Sequence, residues 1–212
     1  MHLGSPRGVP GPQPCVLSGT GPLDSEREGA MRCLSYSECE AWCRHHDYPV
    51  VEADHHGRPA PAIRKHFRAV KLSCPVDSGK KVGLARDVVK WLDGAGELLL
   101  WLGDWAVWPS SQHLPLFTRF REAFGEMRPL IEAPGHLIQR GELDDAVSVL
   151  ATALLFIWDC HVFSAVRRPV FFCSHDEWSA FFVPPDFDPK PIHEAFSRWL
   201  PDGGAEVTSV DA

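Results

Sequence analysis

The chain has 212 residues, of which 44% are hydrophobic, and it carries a formal net charge of -7 at pH 7. This length and composition suit one domain with a sizeable core. No Lys/Arg run stands out, and because nucleic acids and anionic membranes bind clustered cations, we expect neither as a partner. The longest apolar stretch, 146–158, is too short to span a bilayer.

Composition divides the chain into three parts. Residues 1–30 are rich in Gly, Pro and Ser, which predicts a disordered tail, and they lack the basic and apolar regions of a secretory signal. Residues 31–201 predict a single domain, and 202–212 predict a frayed C-terminus. The seven scattered Cys are typical of reduced thiols, so we expect a cytoplasmic protein.

The first half of the domain predicts two helices and two strands. Ser35 and Glu38 form the pattern of a capping box, and the run 97–102 is short, fully apolar and bounded by glycines. In chain order, the predicted elements are a helix over 35–46, a loop over 45–62, a strand over 67–74, a helix that starts at Ser78, and a strand over 97–102.

The second half predicts four helices and two strands. Asp144 and Asp145 suit the first turn of a long apolar helix, and Ser174 with Glu177 forms a second capping-box pattern. In chain order, the predicted elements are a helix from Pro115 to Gly125, a strand over 129–132, a helix from Asp144 to about Trp158, a strand over 169–173, a helix over 176–182, and a helix over 192–200.

Strands that alternate with amphipathic helices predict the fold class. We expect a single α/β domain with a mostly parallel sheet of four or five strands and helices on both faces. The strand at 169–173 could instead be antiparallel at an edge. Right-handed crossovers would place the C-terminal ends of the parallel strands along one edge of the sheet, where ligands bind in such folds.

Acidic and imidazole side chains follow the predicted strands. Asp104 comes after 97–102, Glu132 and His136 after the next strand, and His175 after 169–173. Carboxylate and imidazole groups perform acid–base chemistry near neutral pH, and they can also hold a divalent metal. We therefore name these four as candidate catalytic residues, although acids in such turns also serve as structural caps.

Tryptophans follow the second strand directly. Trp105 and Trp108 are either packed under a loop or used at a contact, because exposed Trp is costly. We group Ser110, Ser111 and His113 with them as a candidate binding surface, although the two serines could simply cap the next helix.

Two further groups of residues have structural interpretations. Asp159 lies in an apolar segment and needs a partner, while His161 suits a core or helix-end position. Cys33, Cys39, Cys43 and His46 match no common zinc-finger spacing, and cofactor-binding glycine motifs are absent, so we predict neither a metal nor a cofactor.

Three strings give a resemblance to a known family: 105–111 (WAVWPSS), 132–136 (EAPGH) and 155–159 (LFIWD). Together they resemble a family of uncharacterised bacterial proteins, over roughly residues 31–183. The resemblance implies a bacterial, cytoplasmic protein, and it brings no activity and no site residues.

Two functions remain open. The acidic surface and the many Trp favour a binding or protein-interaction module, like small antitoxin or immunity-type proteins, with a protein partner. The alternative is a hydrolase-like or metal-assisted enzyme with an acid/His site at the strand ends. A purely structural subunit is a third possibility, and the sequence indicates no oligomeric state.

Overall fold

The computed structural model of the chain describes residues 31–51, 53, 57–94, 96–105, 110–201 and 207–208. The helices are α1 (Tyr36–His45), α2 (Ile63–His66), α3 (Ser78–Leu92), α4 (Leu114–Glu122), α5 (Leu143–Phe156) and α6 (Lys190–Ala195). The strands are β1 (Arg32–Leu34), β2 (Val50–Val51), β3 (Ala60–Pro61), β4 (Arg68–Leu72), β5 (Leu98–Leu102), β6 (Gly135–Ile138), β7 (Cys160–Ser164), β8 (Val170–Cys173), β9 (Ser179–Val183) and β10 (Val207–Thr208).

The predicted tails fall largely beyond this description. Residues 1–30 lie outside the described residues, so the structure does not test the predicted disorder there. Of the predicted frayed end, 202–212, only β10 is described, and it pairs with β4.

The main sheet is antiparallel. Its strand order is β1-β6-β5-β7-β8-β9-β4-β10, and β2 pairs with β3 in a separate two-stranded sheet. Each pair of neighbouring strands runs in opposite directions. The prediction of a mostly parallel sheet of four or five strands is therefore wrong.

A strand that the sequence did not signal accounts for part of this error. The long helix α5 ends at Phe156, and its C-cap residue Ile157 adopts a left-handed conformation with φ 58°. Glycine usually occupies that position at a helix end, so no residue type in this segment signals the end of the helix. The chain then reverses as β7, which pairs with β5 and β8.

The helix predicted over 176–182 is also wrong, because this segment holds strand β9. The amide of Ser174 donates to the carbonyl of Trp178 at 2.9 Å, and the amide of Glu177 donates to the carbonyl of Ser174 at 3.1 Å. Glu177 itself has a φ of 61°. The Ser-x-x-Glu pattern therefore belongs to a hairpin turn between β8 and β9, and not to a capping box.

The predicted strand over 129–132 is wrong, because this segment is a turn. The strand that follows α4 is β6, which begins only at Gly135. β6 pairs with β1 on one side and with β5 on the other. His136 lies opposite Leu100 inside this strand, whereas the sequence placed it after a strand.

Helices lie on both faces of the sheet, and alternate residues of β5 show this. Leu98, Leu100 and Leu102 pack in a core with α3, α4, α5 and α6. Leu99 and Trp101 pack in a second core with α1 and α2. An antiparallel strand covered on both faces is as continuously apolar as a parallel one, which explains why the direction was misjudged.

Several predicted elements are confirmed. β4, β5 and β8 lie where the apolar runs indicated, and the capping box of α1 is present, with Ser35 and Glu38 bonded in both directions. α3 begins at Ser78, but its cap is Asp77, whose carboxylate accepts from the amide of Lys80 at 2.8 Å.

Candidate functional site

A cleft of about 980 Å³ lies at one edge of the sheet, on the face covered by α1 and α2. β5 and β8 run in the same direction because both are antiparallel to β7, which lies between them. The end of β5, the start of β7 and the end of β8 therefore meet at this edge. They bring Asp104, Asp159 and His175 to the cleft.

Backbone hydrogen bonds hold the strand ends together. The amide of Gly103 donates to the carbonyl of Asp159 at 2.8 Å, and the amide of Asp159 donates to the carbonyl of Asp104 at 2.9 Å. A Cβ atom at position 103 would lie 3.0 Å from the Cβ of Asp159, so glycine permits this close approach.

Three cross-strand neighbours line the floor of the cleft: Trp101 on β5, His161 on β7 and Phe172 on β8. The centroids of the His161 and Phe172 rings are 4.5 Å apart. Partial burial, followed by the charge of Arg64, lowers the pKa of His161, so this ring is neutral near pH 7.

Asp159 and His175 form a hydrogen-bonded pair. The Nδ1 atom of His175 lies 2.8 Å from Oδ1 of Asp159, and the backbone amide of His175 donates to the same oxygen at 2.7 Å. The Nε2 atom lies 3.6 Å from Oδ1 of Asp176. Burial works to lower the pKa of His175, but the hydrogen bond and charge of Asp159, with the charges of Asp176 and Asp104, raise it overall. His175 is therefore the partner that the carboxylate of Asp159 needs in an apolar segment.

We expect Asp159→Asn to lower the pKa of His175, because the amide removes the charge and weakens the bond that favour the imidazolium. The pKa can be followed from the imidazole signals in an NMR titration. Asp186→Asn is the matched control, since Asp186 pairs with Arg168 on the surface at 2.7 Å. A pKa of His175 that stays the same in Asp159→Asn would contradict the assigned pair.

Two of the four candidate catalytic residues lie away from the cleft. His136 is fully buried on the opposite face of the sheet, where its ring centroid is 5.4 Å from that of Phe117. Glu132 is exposed in the turn before β6, and its neighbour Ile131 lines the cleft instead. The structure therefore brings together Asp104 and His175, and the four residues do not form one cluster.

The candidate binding residues are also divided. Trp105 is half-buried and lines the cleft, whereas Trp108 lies outside the described residues. Residues Ser110–His113 form a short 3-10 turn before α4, and nothing is described of the Ser110 side chain. The ring of His113 stacks on that of Phe156 at 4.2 Å, and neither His113 nor the half-buried Ser111 is found in the cleft lining.

The sequence missed most of the second wall of the cleft. Tyr36 contributes from α1, and Arg64 and Lys65 contribute from α2. α2 is only one turn long and follows a segment interpreted as a loop, so no periodicity indicated it. Asp159 and His161 were both singled out in the sequence, Asp159 because a carboxylate inside an apolar run needs a partner, but neither was named as a site residue.

Within the described ranges, no group of three or more His, Cys, Asp or Glu side chains is placed to hold a metal ion. None of the helices in those ranges has the length and apolar character required to cross a membrane. No family model matches the chain, and neither curated proteins nor solved structures give a match. The comparisons therefore assign no function to the chain.

Proposed function

We propose that the chain is a binding protein that takes a segment of a partner protein into the cleft. The observation that carries this proposal is an open cleft of about 980 Å³ whose walls present the half-buried aromatic side chains of Trp105 and Tyr36. Trp101 and Phe172 lie beneath them as a floor that is already buried. Such residues anchor interfaces because they bury a large area at a small cost in conformational entropy.

The charged groups support a role in orienting the ligand. Asp104, Asp159 and His175 lie at the strand ends, while Arg64 and Lys65 lie on α2. An apolar floor with a few placed polar groups is the usual design of a specific binding site. A segment bound there would bury apolar side chains on the floor and hold its polar groups at the edges.

We expect Trp105→Ala to weaken binding of a cleft ligand about tenfold or more, since central aromatic anchors carry much of the binding energy. The probe is a dodecapeptide selected from a phage-displayed random library against the wild-type chain, and calorimetry gives its Kd. Leu116→Ala is the matched control because Leu116 is 65% exposed on α4 and does not line the cleft. Thermal unfolding of both variants separates lost binding from lost folding.

Equal Kd values for the wild type, Trp105→Ala and Leu116→Ala would contradict binding in the cleft. Tyr36→Ala, on the opposite wall, provides a second and independent variant if Trp105→Ala unfolds.

A second function, acid–base catalysis, is favoured by the Asp159–His175 pair. An aspartate that holds Nδ1 orients the ring and leaves Nε2 to accept a proton from water or a substrate. Among the described residues, no Ser, Thr or Cys side chain is bonded to Nε2, so a hydrolase of this kind would use water as its nucleophile. Hydrolysis of p-nitrophenyl esters that disappears in His175→Gln would favour catalysis over binding alone.

A further inference from the structure

We propose that the cleft selects a partner segment that carries an acidic side chain, and that Arg64, assisted by Lys65, binds its carboxylate. This inference rests on the proposed binding function and specifies the chemistry of the ligand. It adds a recognition site on α2, the element that sequence patterns did not reveal.

Aromatic stacking holds the guanidinium of Arg64. Its central carbon lies 4.7 Å from the ring centroid of Phe172 and 5.0 Å from that of Trp178. A guanidinium stacked on aromatic rings keeps its N–H donors directed from its edge, where a carboxylate can accept two of them. Arg64 itself lines the cleft, on the wall beside which a bound segment would lie.

Arg64 and Lys65 have no ion-pair partner among the residues that the structure describes. Both side chains line the cleft from the exposed surface of α2. Some surface cations elsewhere do have acidic partners, as Arg128 has in Glu126 at 2.6 Å, whereas others, such as Arg86, are in no ion pair among the described residues. The α2 wall is therefore positive, and a ligand carboxylate complements it.

The other charges around the cleft are arranged compatibly. The neutral His161 adds no charge to the floor of the cleft. Asp159 is hydrogen-bonded to His175, whose raised pKa favours the imidazolium. When His175 is protonated, its positive charge offsets the carboxylate of Asp159, so the pair has little net charge. Asp104 and Asp176 repel an anion at the strand ends, which favours placing the acidic group at α2.

The test compares peptides selected by the wild type with those selected by Arg64→Gln. A library of random dodecapeptides on phage is the probe, and Arg86→Gln is the matched control because Arg86 is exposed on α3, across the sheet. We expect the wild type and Arg86→Gln to enrich Asp or Glu at one position, and Arg64→Gln to lose that preference. The net charge of -7 works against nonspecific capture of acidic peptides, so such enrichment would reflect a local site.

The selected peptide gives a second readout. Replacing its acidic residue by the amide should weaken binding to the wild type about tenfold, because the charged hydrogen bonds to Arg64 are lost. The same replacement should leave binding to Arg64→Gln nearly unchanged, because that variant does not form these hydrogen bonds. Lys65→Gln should produce a smaller loss in the same direction.

Three results would overturn the inference. Peptides that bind through Trp105 without an acidic preference would refute the role of Arg64 while leaving the binding function intact. An acidic preference that persists in Arg64→Gln would do the same. A selection that enriches no peptide, or only peptides whose affinity survives Trp105→Ala, would refute the binding function and this inference with it.

Discussion

Replacing Phe181 by alanine should lower the free energy of unfolding by about 3–5 kcal/mol, the usual cost of removing a buried Phe side chain. Phe181 is fully buried on β9. Its ring centroid is 4.8 Å from that of Phe196, 5.0 Å from that of Trp91 and 5.4 Å from that of Phe171. These neighbours come from different elements, so the cavity left by alanine cannot collapse easily.

Phe182 extends the same test to the other face of the sheet. Phe182 is also fully buried, but it belongs to the second core, with Phe172 at 6.2 Å between ring centroids. Adjacent residues of a strand point to opposite faces, so Phe182→Ala opens a cavity in the second core instead of the first. It should also lower the free energy of unfolding by about 3–5 kcal/mol.

Chemical denaturation measures both losses. Val76→Ala is the control, because Val76 is 92% exposed and its change should stay within about 0.5 kcal/mol. A loss close to that of the control at either Phe181 or Phe182 would show that one face of β9 is uncovered, contrary to the sheet described above.

The second large effect is a loss of stability in acid that depends on His136. This ring is fully buried. Burial, followed by the charge of the neighbouring Arg121, lowers the pKa of His136 to about 3. In the unfolded chain a His pKa is about 6.5.

The sign of the effect follows from these two pKa values. Above about pH 6.5, His136 is neutral in both states and adds no pH dependence. Below it, the unfolded chain binds a proton that the folded chain does not, so the free energy of unfolding falls by about 1.4 kcal/mol per pH unit. Between pH 7.5 and 4.5, we expect His136 to account for a loss of about 2–3 kcal/mol.

His136→Leu isolates this contribution, because other groups titrate equally in both proteins. Denaturation at pH 7.5 and pH 4.5 should give a smaller acid loss for the variant, by about 2–3 kcal/mol. Phe117→Leu is the matched control because Phe117 contacts the same ring and does not titrate, so it should lower stability equally at both pH values. The same acid loss in His136→Leu and in the wild type would mean that this ring is protonated in the fold.

The apolar runs in the sequence predicted where the strands lie, but they did not predict the directions in which the strands run. β5 and β8 lie where Leu98–Leu102 and the run 169–173 predicted them. Their continuous apolar character reflects burial on both faces, and burial is compatible with either direction. Direction was set by β7, which follows the predicted helix that ends near Trp158, and by β9, most of which was predicted as part of a helix over 176–182.

The candidate site was partly predictable for a related reason. Asp104 and His175 meet because β5 and β8 run in the same direction, although β7 lies between them. His136 was misplaced because the turn over 129–132 was interpreted as a strand, which put an interior strand residue at an edge. Arg64 could not have been predicted, since its position depends on the packing of a one-turn helix over Phe172, far away in sequence.

We propose that ligands bind in the cleft where the ends of β5 and β8 meet. The ratio of Kd values for Trp105→Ala and the wild type, measured with the selected peptide, tests it most directly. We predict a ratio of about ten or more, with Leu116→Ala at about one. A ratio near one in a folded Trp105→Ala protein, together with unchanged binding to Tyr36→Ala, would contradict the claim.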